Sequence, residues 1–160
     1  MAFILAADGR YADVVGAFRR YQEYLQSLKD VFPPSAFALA TSDWYFNFND
    51  HRCPHDAWLD TLSLFEPFLG ERSEKRSLSL NVRLLGAYHD GHIELRYPQV
   101  FSYSLNVSDG KHGHRDWRYD ELRVSDRGHL VHEIEWSGLH STGVWVIEAS
   151  DLEFRWVPKL

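Results

Sequence analysis

The sequence predicts an α+β fold, with an N-terminal amphipathic helix packed on a predominantly antiparallel β-meander. Three observations predict it. One stretch near the N-terminus has helical periodicity, the chain beyond residue 78 alternates with a period near two, and turn-forming pairs punctuate that alternation. A partly closed, barrel-like sheet is one form such a meander can take.

The helix is expected between Tyr11 and Phe32. There Val14, Phe18, Tyr21, Leu25, Leu28 and Phe32 recur at spacings of four and three, placing all six on one stripe of the cylinder. Arg19, Arg20, Gln22, Glu23, Gln26 and Lys29 occupy the other side, and Pro33-Pro34 ends the helix because neither proline can donate a backbone N–H. The Ala-rich run Ser35–Thr41 predicts a second short helix, and Asp43–Asp56 reads as an ordered, aromatic-rich loop.

Leu59, Leu62, Leu64 and Phe65 suggest a first strand. Leu78, Leu80, Val82 and Leu84 then alternate with Ser79, Asn81 and Arg83, as a strand with one buried face requires. A slip of phase at Leu85-Gly86-Ala87 predicts a bulge, and Asp90-Gly91 supplies a hairpin turn before Ile93, Leu95 and Tyr97. After Pro98 the alternation resumes at Phe101, Tyr103, Leu105 and Val107, followed by a polar loop over Ser108–His114. Trp117 and Tyr119 share a phase that Leu122 and Val124 do not, which predicts an irregularity near Asp120-Glu121. Asp126-Arg127-Gly128 forms the next turn, and Leu130, His132, Ile134 and Trp136 point inward beyond it. Val144–Ile147 and the alternation Leu152, Phe154, Trp156 complete six to eight strands in a single domain spanning residues 1–160.

Composition bounds the function. A chain that is 44% hydrophobic and 15% aromatic can bury a core, so disorder is excluded. With 23 acidic and 17 basic residues, the formal net charge of −6 opposes binding to nucleic acid and to anionic lipid. The lone Cys53 cannot pair within the chain and favours a reducing, cytoplasmic setting. The apolar start Met1–Ala7 lacks a basic segment and is far shorter than the ~20 residues of a membrane span, so neither signal peptide nor anchor is expected.

Nine histidines direct attention to metal and acid–base chemistry. His51, Cys53 and His55, flanked by Asp50 and Asp56, could converge on zinc from an extended loop, but their spacing matches no closed zinc motif. His112 and His114 straddle Gly113, and His89 and His92 bracket a turn, positions where histidine is ordinary. His132 faces the apolar side, where it is either a hydrogen-bonded core residue or a general base in a cavity, positioned by Asp116, Asp120 or Glu121. Nucleophile-elbow, P-loop, dinucleotide-binding and H-E-x-x-H patterns are all missing, so the residues favour a non-enzymatic protein and imply no cofactor.

Carboxylates are the other constellation. Glu133 and Glu135 on one strand, Asp151 and Glu153 on another, and Glu148 between them are outward positions. If these strands are neighbours, the five acids form a docking surface for a basic protein partner, with Trp117 and Tyr119 at its rim; if not, they are a solvated face.

The stretches Leu84-Leu85-Gly86-Ala87-Tyr88-His89-Asp90-Gly91, His132-Glu133-Ile134-Glu135-Trp136 and Trp145-Val146-Ile147-Glu148-Ala149-Ser150-Asp151 resemble small bacterial proteins, some of which look like immunity proteins that neutralise a cognate toxin. The resemblance covers the C-terminal half and transfers no functional residue. It implies a bacterial cytosolic binder whose partner is a toxin.

Overall fold

The computed structural model describes residues 1–160. Helices α1 (Ala7–Ala12), α2 (Val14–Ser27) and α3 (Pro34–Ala40) precede strands β1 (Trp58–Phe65), β2 (Phe68–Leu69), β3 (Lys75–Arg76), β4 (Ser79–Leu85), β5 (Gly91–Tyr97), β6 (Val100–Leu105), β7 (Asp116–Val124), β8 (Leu130–Ser137), β9 (Thr142–Ala149) and β10 (Glu153–Pro158). All pairings are antiparallel, and no helix is long and apolar enough to cross a membrane.

The strands form two four-stranded sheets, β1-β4-β5-β10 and β6-β9-β8-β7, with β2-β3 as a small arm. Two bent ribbons join them. β5 runs through Pro98-Gln99 into β6 while β9 runs through Ser150-Asp151 into β10, and the two ribbons pair in both sheets. Pro98 and a register shift between Val100 and Ser102 supply the bend, as corners of packed sheets require. The barrel is therefore open.

The inner faces bury Leu80, Val82, Leu84, Ile93, Leu95 and Tyr97 against Trp117, Leu122, Leu130, Ile134, Trp136, Trp145 and Ile147. Helix α2 adds Tyr21 and Leu25, and α3 adds Ala36, Leu39 and Ala40. Burial of apolar area on this scale is the main stabilising term.

The helix predicted over Tyr11–Phe32 is broken at its start. Asp13 leaves helical geometry and accepts a hydrogen bond from the Gly16 amide at 2.9 Å, capping α2, so Val14 is exposed. Gly86 lies beyond the end of β4 rather than in a bulge. Its amide bonds to Gly91 O at 3.0 Å, and the positive φ of the turn falls on His89. Gly91 is required because a Cβ there would meet the Trp156 ring at 2.3 Å.

The irregularity expected near Asp120-Glu121 lies instead between Trp117 and Tyr119. This two-residue displacement reverses two side chains. Tyr119 turns to the outer face opposite Glu135, and Asp120 turns into the core opposite Ile134.

Candidate functional site

Asp120 completes a buried polar network. His132 Nε2 donates to Asp120 Oδ2 at 2.8 Å, Tyr45 hydroxyl donates to the same oxygen at 2.7 Å, and Trp117 Nε1 donates to Oδ1 at 3.2 Å. Because a carboxylate only accepts, the proton of His132 sits on Nε2, leaving Nδ1 to accept from the Tyr97 hydroxyl at 2.7 Å. Burial pushes the Tyr45 and Tyr97 hydroxyls well above their ordinary titration range, so both remain donors. The void against Asp120 and Tyr45 is about 10 Å³, at the limit for one water, and His132 is fully buried. His132 is thus a satisfied core histidine with Asp120 as its partner and no substrate cavity. Asp116 instead accepts from Trp58 Nε1 at 2.7 Å, and Glu121 accepts from the Phe3 and Leu5 amides at 2.7 and 2.9 Å.

The aromatic loop separates its three candidate metal ligands. His51 stacks on Tyr88 and donates to Asp90 at 2.5 Å, while His55 stacks on Phe48 and donates to Arg118 O at 2.5 Å. Cys53 is buried, and burial pushes its thiol up to about 12, which withholds the thiolate that nucleophilic attack needs. No three His, Cys, Asp or Glu side chains converge as a metal site. His112 donates to Asp109 within its own loop, whereas His114 packs between Trp136 and Trp145 with ring centroids at 5.0 and 4.9 Å. Its buried Nδ1 has no partner, and burial lowers its pKa.

The five acids divide between the sheets. Glu133 and Glu135 on β8 and Glu148 on β9 share the outer face of one sheet, Glu153 lies on β10 in the other, and Asp151, expected on the same strand as Glu153, lies in the bend between β9 and β10. Each carboxylate has a partner in the chain. Arg123 pairs with Glu133, buried Arg10 approaches Glu135 at 3.4 Å while lying over the Tyr119 ring, and His129 donates to Glu148 at 2.8 Å. Asp151 accepts from the Ser35 and Ala36 amides at the start of α3, and Glu153 pairs with Arg96 at 3.3 Å. Trp117 is core, and Tyr119 lies under Arg10. The acids are therefore local ties more than a free docking charge.

The sheet edges differ in protection. On β7 the Tyr21 hydroxyl accepts from the Leu122 amide at 2.7 Å and donates to the Leu122 carbonyl at 2.8 Å, and Tyr24 hydroxyl accepts from the Val124 amide at 3.0 Å. Helix α2 thereby replaces a neighbouring strand with side chains. Strand β1 has no such cover. It pairs with β4 alone, and Thr61–Phe65 is an uncharged stretch bounded by Asp60 and Glu66, with no lysine or arginine from Trp58 through Pro67. Its apolar side chains continue onto the arm, where exposure rises from 37% at Leu64 and 41% at Phe65 to 59% at Phe68 and 67% at Leu69. The apolar residues Leu59, Leu62, Leu64 and Phe65 suggested β1 as a strand, but nothing local marks a strand as the last in its sheet. No protein family, curated protein or solved structure matches the chain.

Proposed function

We propose that this protein is a non-catalytic protein-binding domain that accepts an extended strand of its partner along the free edge of β1. The observation that carries the proposal is the contrast between edges: β7 is capped by Tyr21 and Tyr24, whereas β1 presents an uncharged stretch that leads into the exposed Phe68 and Leu69. An open edge of this kind is a template for main-chain hydrogen bonding, and side chains at alternate positions supply selectivity. Asp60 and Glu66 at its ends, together with the net charge of −6, select a partner strand whose uncharged centre is flanked by basic residues. Glu133, Glu135 and Glu148, tied to Arg123, Arg10 and His129, do not supply the contact.

The immobilised interior supports the non-catalytic part of the reading, since His132 is fully satisfied and Cys53 is held as a thiol. The resemblance of the C-terminal half to immunity-type proteins gives the proposal its specific form, a bacterial cytosolic protein that occludes a toxin. The test is binding of a fluorescent peptide of alternating valine and threonine with lysines at both ends. The wild-type chain binds it saturably, Phe65→Lys weakens it by about tenfold, or about 1.4 kcal/mol, and a peptide with glutamate ends fails to bind. Equal affinity of wild type and Phe65→Lys removes the β1 edge from the account.

A further inference from the structure

The outer face of the β1-β4-β5-β10 sheet is concave and encloses a cleft of about 600 Å³. Its polar lining is laid out by register. Thr61 lies opposite Arg83, Arg83 opposite Glu94, and Glu94 opposite Arg155; one row on, Ser63 lies opposite Asn81, Asn81 opposite Arg96, and Arg96 opposite Glu153. Two cross-strand rows of four residues thus cross the whole sheet.

The two ends of these rows behave differently. On the β5-β10 side the charges are neutralised in place, with Arg155 donating to Glu94 at 2.9 Å from Nε and Arg96 donating to Glu153 at 3.3 Å. On the β1-β4 side, the Thr61 and Ser63 hydroxyls and the Asn81 amide have no partner in the chain. Arg83 Nε is buried without a hydrogen bond; its nearest acid, Asp60, stands at 3.5 Å. An arginine whose one acidic neighbour stands at ion-pair distance without a hydrogen bond, an amide and two hydroxyls therefore border one patch of the cleft.

We propose that this patch is a binding site for a carboxylate, with Arg83 as its bidentate anchor. A planar monoanion matches the guanidinium fork, and Asn81, Thr61 and Ser63 supply further donors around it. Charge argues for one negative charge rather than two. Asp60 and Glu94 both flank Arg83, so a phosphate dianion would meet two like charges, whereas a carboxylate exchanges with the loosely held Asp60. The neutralised half offers Glu94 and Glu153 to the N–H groups of an attached peptide. The site is independent of strand docking, because β1 contributes side-chain hydroxyls here and backbone groups there.

The test is NMR observation of arginine Nε–Hε signals during titration with N-acetylglycine, with N-acetylglycinamide and inorganic phosphate as the other arms. N-acetylglycine shifts the Arg83 signal saturably, with a Kd on the order of 1 mM. The neutral amide leaves that signal in place, and phosphate binds more weakly. Arg83→Gln and Asn81→Asp each weaken binding by about tenfold or more, and Arg83→Lys, which keeps the charge without the fork, also weakens it. Urea midpoints for each variant confirm that the fold is intact. The proposal is overturned if N-acetylglycine leaves Arg83 unshifted, if the neutral amide shifts it equally, if phosphate binds more tightly, or if Arg83→Gln binds as the wild type does.

Discussion

Replacing Asp120 with alanine tests the interior most severely, because a single carboxylate accepts from three buried donors. The substitution leaves Tyr45 hydroxyl, His132 Nε2 and Trp117 Nε1 without their acceptor. Each orphaned buried donor costs about 1–3 kcal/mol. Removing the carboxylate also recovers part of that as relieved desolvation of its charge, so the net for three orphaned donors falls in the lower half of their sum, about 3–5 kcal/mol. With a urea m-value of about 2 kcal/mol/M, the midpoint falls by about 2 M. Equilibrium urea unfolding followed by tryptophan fluorescence is a suitable assay, since Trp117 is part of the network. Tyr97→Phe provides the scale: it removes only the donor to His132 Nδ1 and costs about 1 kcal/mol. If Asp120→Ala costs less than about 1 kcal/mol, the network is not a stabilising centre, and the reading of His132 as a structural residue fails with it.

Three further outcomes follow from named side chains. Cys53, buried and with its thiol pushed up to about 12, has only roughly one part in ten thousand of thiolate at pH 8; the native protein resists iodoacetamide until urea unfolds it, and rapid native labelling would contradict this. His114 has its pKa lowered by burial, so the unfolded chain takes up its proton first; stability contributed by the neutral ring is complete above about pH 6.5 and declines as pH falls below that value. His114→Phe flattens the loss of stability between pH 7 and about pH 5, and an unchanged pH dependence would show that His114 does not cause it. Tyr21→Phe removes both hydrogen bonds to Leu122 and costs about 2 kcal/mol, with faster amide exchange at Leu122 as its local sign. Unaltered exchange there would mean that α2 does not cap the β7 edge.

Side-chain phase carried much of this architecture. Phe18, Tyr21 and Leu25 identified the face of α2, and Leu130, Ile134 and Trp136 identified the inner face of β8, which also placed His132 inside. Phase could not locate the register shift beside Arg118, because Trp117, Tyr119 and Asp120 are compatible with either position of the slip. That shift decides which of Asp116, Asp120 and Glu121 meets His132. The start of α2 was overextended because Val14 fits the apolar stripe, while Asp13 capping the Gly16 amide outweighs that fit. Glu133, Glu135, Glu148 and Glu153 occupy outward strand positions, whereas Asp151 lies off the strands in the bend before β10. Their neutralisation was hidden because Arg10 and Arg123 reach them from other segments, Arg10 across more than a hundred residues. Edge status and the two cross-strand rows are likewise properties of strand order, which brings β10 beside β5 rather than beside its predecessor.

Amide hydrogen exchange at Thr61–Phe65 tests the proposed docking edge most directly. With the lysine-flanked peptide present, the amides of this segment that face away from β4 exchange more slowly, while Leu122 and Val124 on the capped β7 edge keep their rates. If Thr61–Phe65 exchanges at the same rate with and without the peptide, β1 does not accept a strand and the proposed function is contradicted.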